Sequence, residues 1–123
     1  MKKIIPFLLI TATLCGCSII NDTIKDMNSA KYGLAKNSVN GYAQAVKTAY
    51  TDYQYANALG TYTQNNDATL VTIDGKEVYL NITYYGDNIT CSNISINNES
   101  VRLDNCKIYG YTFMYENGEA REK

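Results

Sequence analysis

The chain has no histidine and no tryptophan, a single proline and only two phenylalanines in 123 residues. Without histidine it lacks the side chain that most often serves as general base and metal ligand near neutral pH. No nucleophile–histidine pair can be assembled, and neither a G-x-S-x-G elbow nor a glycine-rich phosphate loop is present. Two cysteines beyond position 17, with no histidine to join them, fall short of a zinc set. Asp74, Glu77, Asp87, Glu99 and Asp104 fall mostly in predicted turns and without EF-hand spacing. Enzymatic activity, a metal and a cofactor are therefore not expected. Net charge is −1. Setting aside Lys2 and Lys3 with the leader leaves nine cationic against twelve acidic residues, which argues against a nucleic-acid partner.

The first residues have the form of a secretory signal: basic Met1-Lys2-Lys3, the apolar run IIPFLLITATL at 4–14, then Leu14-Cys15-Gly16-Cys17. The ending resembles a bacterial lipobox, with Leu at −3, Gly at −1 and Cys at +1. Position −2 is Cys15, small but not the usual Ala or Ser. The resemblance implies cleavage before Cys17 and lipid attachment there, holding the remainder on the extracytoplasmic face of the membrane. The alternative is an uncleaved anchor over 4–20, which just reaches the length of a span.

Cleavage would remove Cys15 and lipidation would use Cys17. Cys91 and Cys106 then remain as one possible pair in an oxidising compartment, or as two free buried thiols. A disulfide closing a loop of about 15 residues contributes on the order of 3 kcal/mol in the chain-entropy view.

Residues 18–59 read as one long amphipathic helix. Its stripe runs through Ile20, Ile24, Met27, Leu34, Ser38, Tyr42, Val46, Ala49, Tyr53 and Ala56, in steps of three, four or seven. The sole proline, Pro6, lies upstream. About 40 residues at 1.5 Å each give roughly 60 Å, too long to lie wholly on a small sheet. The expected division falls near Gly33 and Gly41, which offer either a bend or close packing. Residues 17–40 would project, as a stalk or a surface for a partner helix. Residues 42–59 would pack, with Tyr42, Val46, Ala49 and Tyr53 on the buried face. Gly60 is the expected stop.

From Thr69 the hydrophobic period changes from 3.6 to 2. Expected strands are 69–73, 77–84, 89–96, 101–103 and 107–115, separated by turn signals at Asp74-Gly75, Gly86-Asp87-Asn88 and Asn97-Asn98-Glu99. Asn117-Gly118 ends the last strand, and 119–123 is expected to be a frayed charged tail. Hairpins between neighbours make the sheet mainly antiparallel, so the fold class is α+β, one long helix on an antiparallel sheet.

This order resembles type IV pilins and pseudopilins. The likeness is carried by AKNSVNGYAQAVKTAY at 35–50 and by INNESVRLDNCKIYGYTFMYENGEA at 96–120. It implies a pilin-like domain over 41–118, a disulfide-closed surface loop, and envelope or pilin-like partners reached through the projecting helix. The chain departs from the family at its start: no prepilin-peptidase site is present, and no acid precedes Asp22. Polymerisation by the family's usual route is therefore in question.

The expected role is structural or interactive, at a bacterial cell surface. The alternatives are a lipoprotein capturing a small solute or glycan, and an atypical pilin subunit. Tyr79, Tyr84, Tyr85, Tyr109, Tyr111 and Tyr115 either form an exposed aromatic platform for such a ligand or fill a core poor in Phe; the second is preferred. Asn-x-Ser/Thr sequons at Asn21, Asn81, Asn88, Asn93 and Asn98 are attributed to the abundance of Asn.

Overall fold

The computed structural model describes residues 30–123, and the described chain opens with helix α1, Ala30–Ala58. Cys17, the expected point of lipid attachment, the uncleaved-anchor alternative and the stripe positions Ile20, Ile24 and Met27 lie outside the described residues. Residues Leu34–Lys123 form one compact unit. Helix α1 passes Gly33 and Gly41 without interruption. Its buried line is Ala35, Val39, Ala43, Val46, Ala49 and Tyr50.

That line corrects the expected stripe in the first half of the helix. Leu34 is 54% exposed, whereas Val39 is 0% exposed. Adjacent helical positions differ by about 100° of rotation, so a one-residue change of phase moves the face that meets the sheet. Burial starting at Ala35 also places the packed portion well before Tyr42.

The helix ends as a Schellman motif. Gly60 takes φ +73°, its N–H donates to the Asn57 carbonyl at 3.0 Å, and the Thr61 N–H donates to the Ala56 carbonyl at 2.8 Å. Glycine adopts that left-handed conformation without a Cβ clash, and two end carbonyls are thereby satisfied.

Six strands follow: β1 (Thr69–Ile73), β2 (Lys76–Leu80), β3 (Asn93–Asn97), β4 (Ser100–Ile108), β5 (Tyr111–Glu116) and β6 (Glu119–Glu122). They form one sheet in the order β2-β1-β3-β4-β5-β6. All neighbours are antiparallel except β1 and β3, which pair in parallel through Thr72↔Ser95 and Ile73↔Ile96. Four hairpins are closed by two-residue turns: Asp74-Gly75, Asn98-Glu99, Tyr109-Gly110 and Asn117-Gly118. Both residues of each turn have positive φ, the signature of type I′ geometry, whose twist matches that of the flanking strands.

One sheet face carries the core. Val71, Ile73, Leu80, Ile94, Ile96, Val101 and Leu103 are buried, and so are Cys106, Ile108, Phe113, Tyr115 and Ala120. The change from odd to even numbers within β4 has a structural cause. β4 and β5 pair at Leu103↔Tyr115 and next at Cys106↔Phe113, so β4 holds one extra residue. Asn105, at φ 48°, sits in this bulge. The extra residue reverses the alternation and keeps Cys106 and Ile108 facing inward.

The remaining strand expectations need five corrections, the first being that the strand expected over 101–103 runs unbroken as β4, Ser100–Ile108. The strand expected over 77–84 stops at Leu80, because Asn81 turns its hydrogen bonds elsewhere. Its N–H donates to the Tyr62 hydroxyl, its side chain donates to the Thr63 carbonyl, and its Oδ1 accepts from the Asn65 N–H. The strand expected over 89–96 begins only at Asn93. The strand expected over 107–115 is divided by the turn at Tyr109-Gly110, so Tyr109 lies in a turn and not in a strand with Phe113 and Tyr115. The expected charged tail at 119–123 is strand β6, and its Ala120 is 1% exposed.

Candidate functional site

The Asn81 contacts fix the start of segment 81–92, which crosses the end of the sheet from β2 to β3. Cys91 and Cys106 are joined at its far end, with Cα atoms 3.9 Å apart. Thr90 and Lys107 exchange backbone hydrogen bonds at 2.7 and 3.3 Å beside this link. In the middle, Tyr84 stands edge-on to Tyr42 of α1, with ring centroids 5.3 Å apart. Its hydroxyl donates to the Ser38 carbonyl at 3.4 Å. A Cβ added to Gly41 would lie 3.7 Å from the Tyr84 ring, in ordinary contact. At Gly86 an added Cβ would come within 2.1 Å of the Tyr84 hydroxyl. Gly41 therefore needs no special space, while Gly86 is required for the segment to turn back over Tyr84.

The Tyr109 hydroxyl donates a hydrogen bond to Asp87 Oδ2. This bond, with burial and the negative charge of Asp87, raises the Tyr109 pKa and holds the phenol neutral. Tyr42 is also pushed up, by burial. Tyr50 is raised first by burial and then by the charges of Asp74 and Glu99 at the opposite end of the sheet. Tyr85 is 95% exposed at the crest of the segment.

The expected packing residues occupy two kinds of position. Val46 and Ala49 are buried, whereas Tyr42 and Tyr53 are half-buried at the margin of the helix–sheet contact. Tyr53 meets Tyr62 edge-on at 4.8 Å. The six tyrosines weighed as a platform are dispersed. Tyr115 lies in the core, Tyr84, Tyr109 and Tyr111 are half-buried, and Tyr79 and Tyr85 are exposed on different parts of the molecule. Among the described residues, no group of three His, Cys, Asp or Glu side chains could hold a metal ion. No helix among them is long and apolar enough to cross a membrane.

A polar cluster around the β4 bulge went unforeseen. Lys123 Nζ donates to Asn105 Oδ1 at 2.7 Å and to Asp104 Oδ1 at 3.1 Å. Asn105 Nδ2 donates to Ser92 Oγ at 3.0 Å, and the Ser92 N–H and hydroxyl both donate to the Asp104 carbonyl. The Lys123 ammonium holds the Asp104 carboxyl below its usual range, with Arg102 adding to the effect. The cluster ties the C-terminal strand to the segment that carries Cys91. The adjacent pair Asp104-Asn105 was a turn-like signal inside a strand, but reading it as a bulge requires the β5 register.

Two open grooves flank α1 along the β5–β6 hairpin. One, of about 160 Å³, is lined by Ala43, Lys47, Glu99, Val101, Tyr115 and Asn117, among others. The other, of about 340 Å³, is lined by Lys36, Asn40, Gly41, Gln44, Tyr115, Gly118, Glu119 and Ala120. Tyr115 and Gly118 border both. Compared with family models, curated proteins and solved structures, the chain matches none of them.

Proposed function

We propose that the chain is a lipid-anchored protein of the bacterial extracytoplasmic surface, whose α+β domain has a structural or interaction role. The observation that carries this reading is the arrangement of the cysteines. Cys15 and Cys17 fall in the lipobox-like sequence, while Cys91 and Cys106 are bonded to each other. A bonded pair suits an oxidising compartment, where a signal ending in Leu14-Cys15-Gly16-Cys17 would deliver the domain.

A pilin-like character is part of the proposal. It is supported by a helix packed on a mainly antiparallel sheet and by a disulfide near the C-terminal strands. Solute capture is the weaker reading. Ligand sites of that kind are deep, whereas both grooves here are open, with Lys, Asn and Glu in the lining of each. The atypical-pilin reading would require the chain in purified filaments.

The test is metabolic labelling with a fatty-acid analogue, followed by membrane fractionation. The wild type is expected to label and to sediment with membranes; Cys17→Ser is expected to lose both properties. A wild type that sediments with membranes but takes up no label would favour the uncleaved anchor and overturn lipid attachment.

A further inference from the structure

Strand β6 forms one edge of the sheet, with the larger groove beside it. Its hairpin closes at Glu116↔Glu119, and the Lys123 N–H donates to the Thr112 carbonyl at 2.9 Å. Backbone alternation then turns the N–H and C=O of Glu119, Arg121 and Lys123 toward β5, and those of Ala120 and Glu122 outward. The edge is therefore a template for another strand.

The side chains specify a partner. Glu119 and Arg121 share the sheet face opposite α1, while Ala120 and Glu122 share the face toward it. Consider a second β6 laid antiparallel across a two-fold axis with Ala120 opposite Ala120. Each Glu119 then faces the other chain's Arg121, in non-hydrogen-bonded pairs where side chains lie closest. Each Glu122 falls opposite Gly118, which has no side chain and borders both grooves. Lys36 lines one of those grooves, together with Glu119, and Lys47 the other, together with Glu99, so the incoming carboxylate meets one cation in each. The alternative register with Arg121 opposite Arg121 sets like charges together and is disfavoured.

We infer that the β6 edge pairs with the β6 edge of a second copy of this chain, joining two six-stranded sheets through an isologous contact. Ala120 and its symmetry mate exchange two backbone hydrogen bonds at the axis. Two Glu119–Arg121 pairs lie on one face, and on the other two Glu122 carboxylates occupy the grooves beside Lys36 and Lys47. The self-complementarity is that of a two-fold interface, in which one patch meets itself. The inference is independent of lipid attachment at Cys17.

The test is sedimentation equilibrium of the full chain in detergent, in low and high salt. The wild type is expected to dimerise in a concentration- and salt-dependent manner. Arg121→Glu should weaken association at least tenfold, and the double variant Glu119→Arg with Arg121→Glu should restore it to within about threefold, because the pair is reversed rather than lost. Arg121 also lies 3.8 Å from Glu116 of its own chain, so circular dichroism and urea unfolding check the fold of each variant. A second measurement uses Ala120→Cys: Cα atoms about 5.5 Å apart across the axis permit a disulfide-linked dimer under mild oxidation. A chain that stays monomeric throughout, or a dimer indifferent to Arg121→Glu and not linked through position 120, would overturn the inference.

Discussion

The phase of helix α1 is open to a direct comparison between Leu34→Ala and Val39→Ala. Leu34 has the larger side chain and, by sequence spacing, lies on the stripe with Tyr42 and Val46. In the folded unit it is 54% exposed, whereas Val39 is fully buried at 0%. Val39→Ala deletes two methyl groups at about 0.8 kcal/mol each, and the cavity left behind brings the expected loss to about 2–3 kcal/mol. Leu34→Ala removes more carbon from a largely hydrated site where alanine is a good helix former, so its expected cost is below about 1 kcal/mol. If Leu34 were on the packed face, its truncation would cost about 2–5 kcal/mol and the order would reverse. Urea unfolding followed by circular dichroism separates the cases. With a slope of about 1–3 kcal/mol per molar, Val39→Ala should lower the midpoint by about 1–2 M while Leu34→Ala barely moves it. Equal losses, or a larger loss at Leu34, would refute the assigned buried line.

Two further perturbations follow from the segment over the sheet end and from the bulge. Gly86→Ala forces a methyl group into the Tyr84 hydroxyl, so the ring must leave Tyr42 or the segment must shift. The expected cost is about 1–3 kcal/mol in urea midpoint experiments, and a neutral result would mean that the segment takes a different path. Asp104 has its pKa lowered in the folded protein, first by its hydrogen bond from Lys123. Its stabilising contribution is therefore full above the unfolded carboxylate value near about 3.9 and disappears as pH falls through the lower folded value. The stability gap between wild type and Asp104→Asn should narrow on acidification below about pH 4; a gap that stays constant down to pH 2 would remove the ion pair from the account.

The two-layer architecture was legible because both periods were present in the residues. A 3.6 period ends at Leu59-Gly60 and a 2 period starts at Thr69. The local chemistry of Asp74-Gly75 and Gly60 was readable for the same reason, since each is fixed by a residue that tolerates positive φ. The illegible parts depend on neighbours that are distant in sequence. The choice of Ala35 and Val39 over Leu34 and Ser38 depends on which face of α1 meets strands that are distant in sequence. Tyr109 at φ 53° gave no turn signal of its own, and only the two-residue register Ile108↔Tyr111 identifies the turn. The bulge at Asn105 reversed inward and outward residues within β4, so one uninterrupted alternation could not describe both of its halves. Strand β6 looked like a tail because four residues rich in charge carry no period, yet charge is what suits a strand to a sheet edge. At the candidate site, Cys91 and Cys106 could be paired by counting. The Lys123–Asp104–Asn105–Ser92 cluster could not, because the fold brings those residues together from three separate stretches.

The central claim, a lipid-anchored domain outside the cytoplasm with its remaining cysteines joined, is tested most directly by intact mass of the protein extracted from membranes, with and without reductant. The expected mass is that of a chain starting at Cys17, heavier than its sequence by the attached lipid, and gaining about two mass units on reduction as one disulfide opens. An unmodified mass starting at Met1, unchanged by reductant, would contradict it.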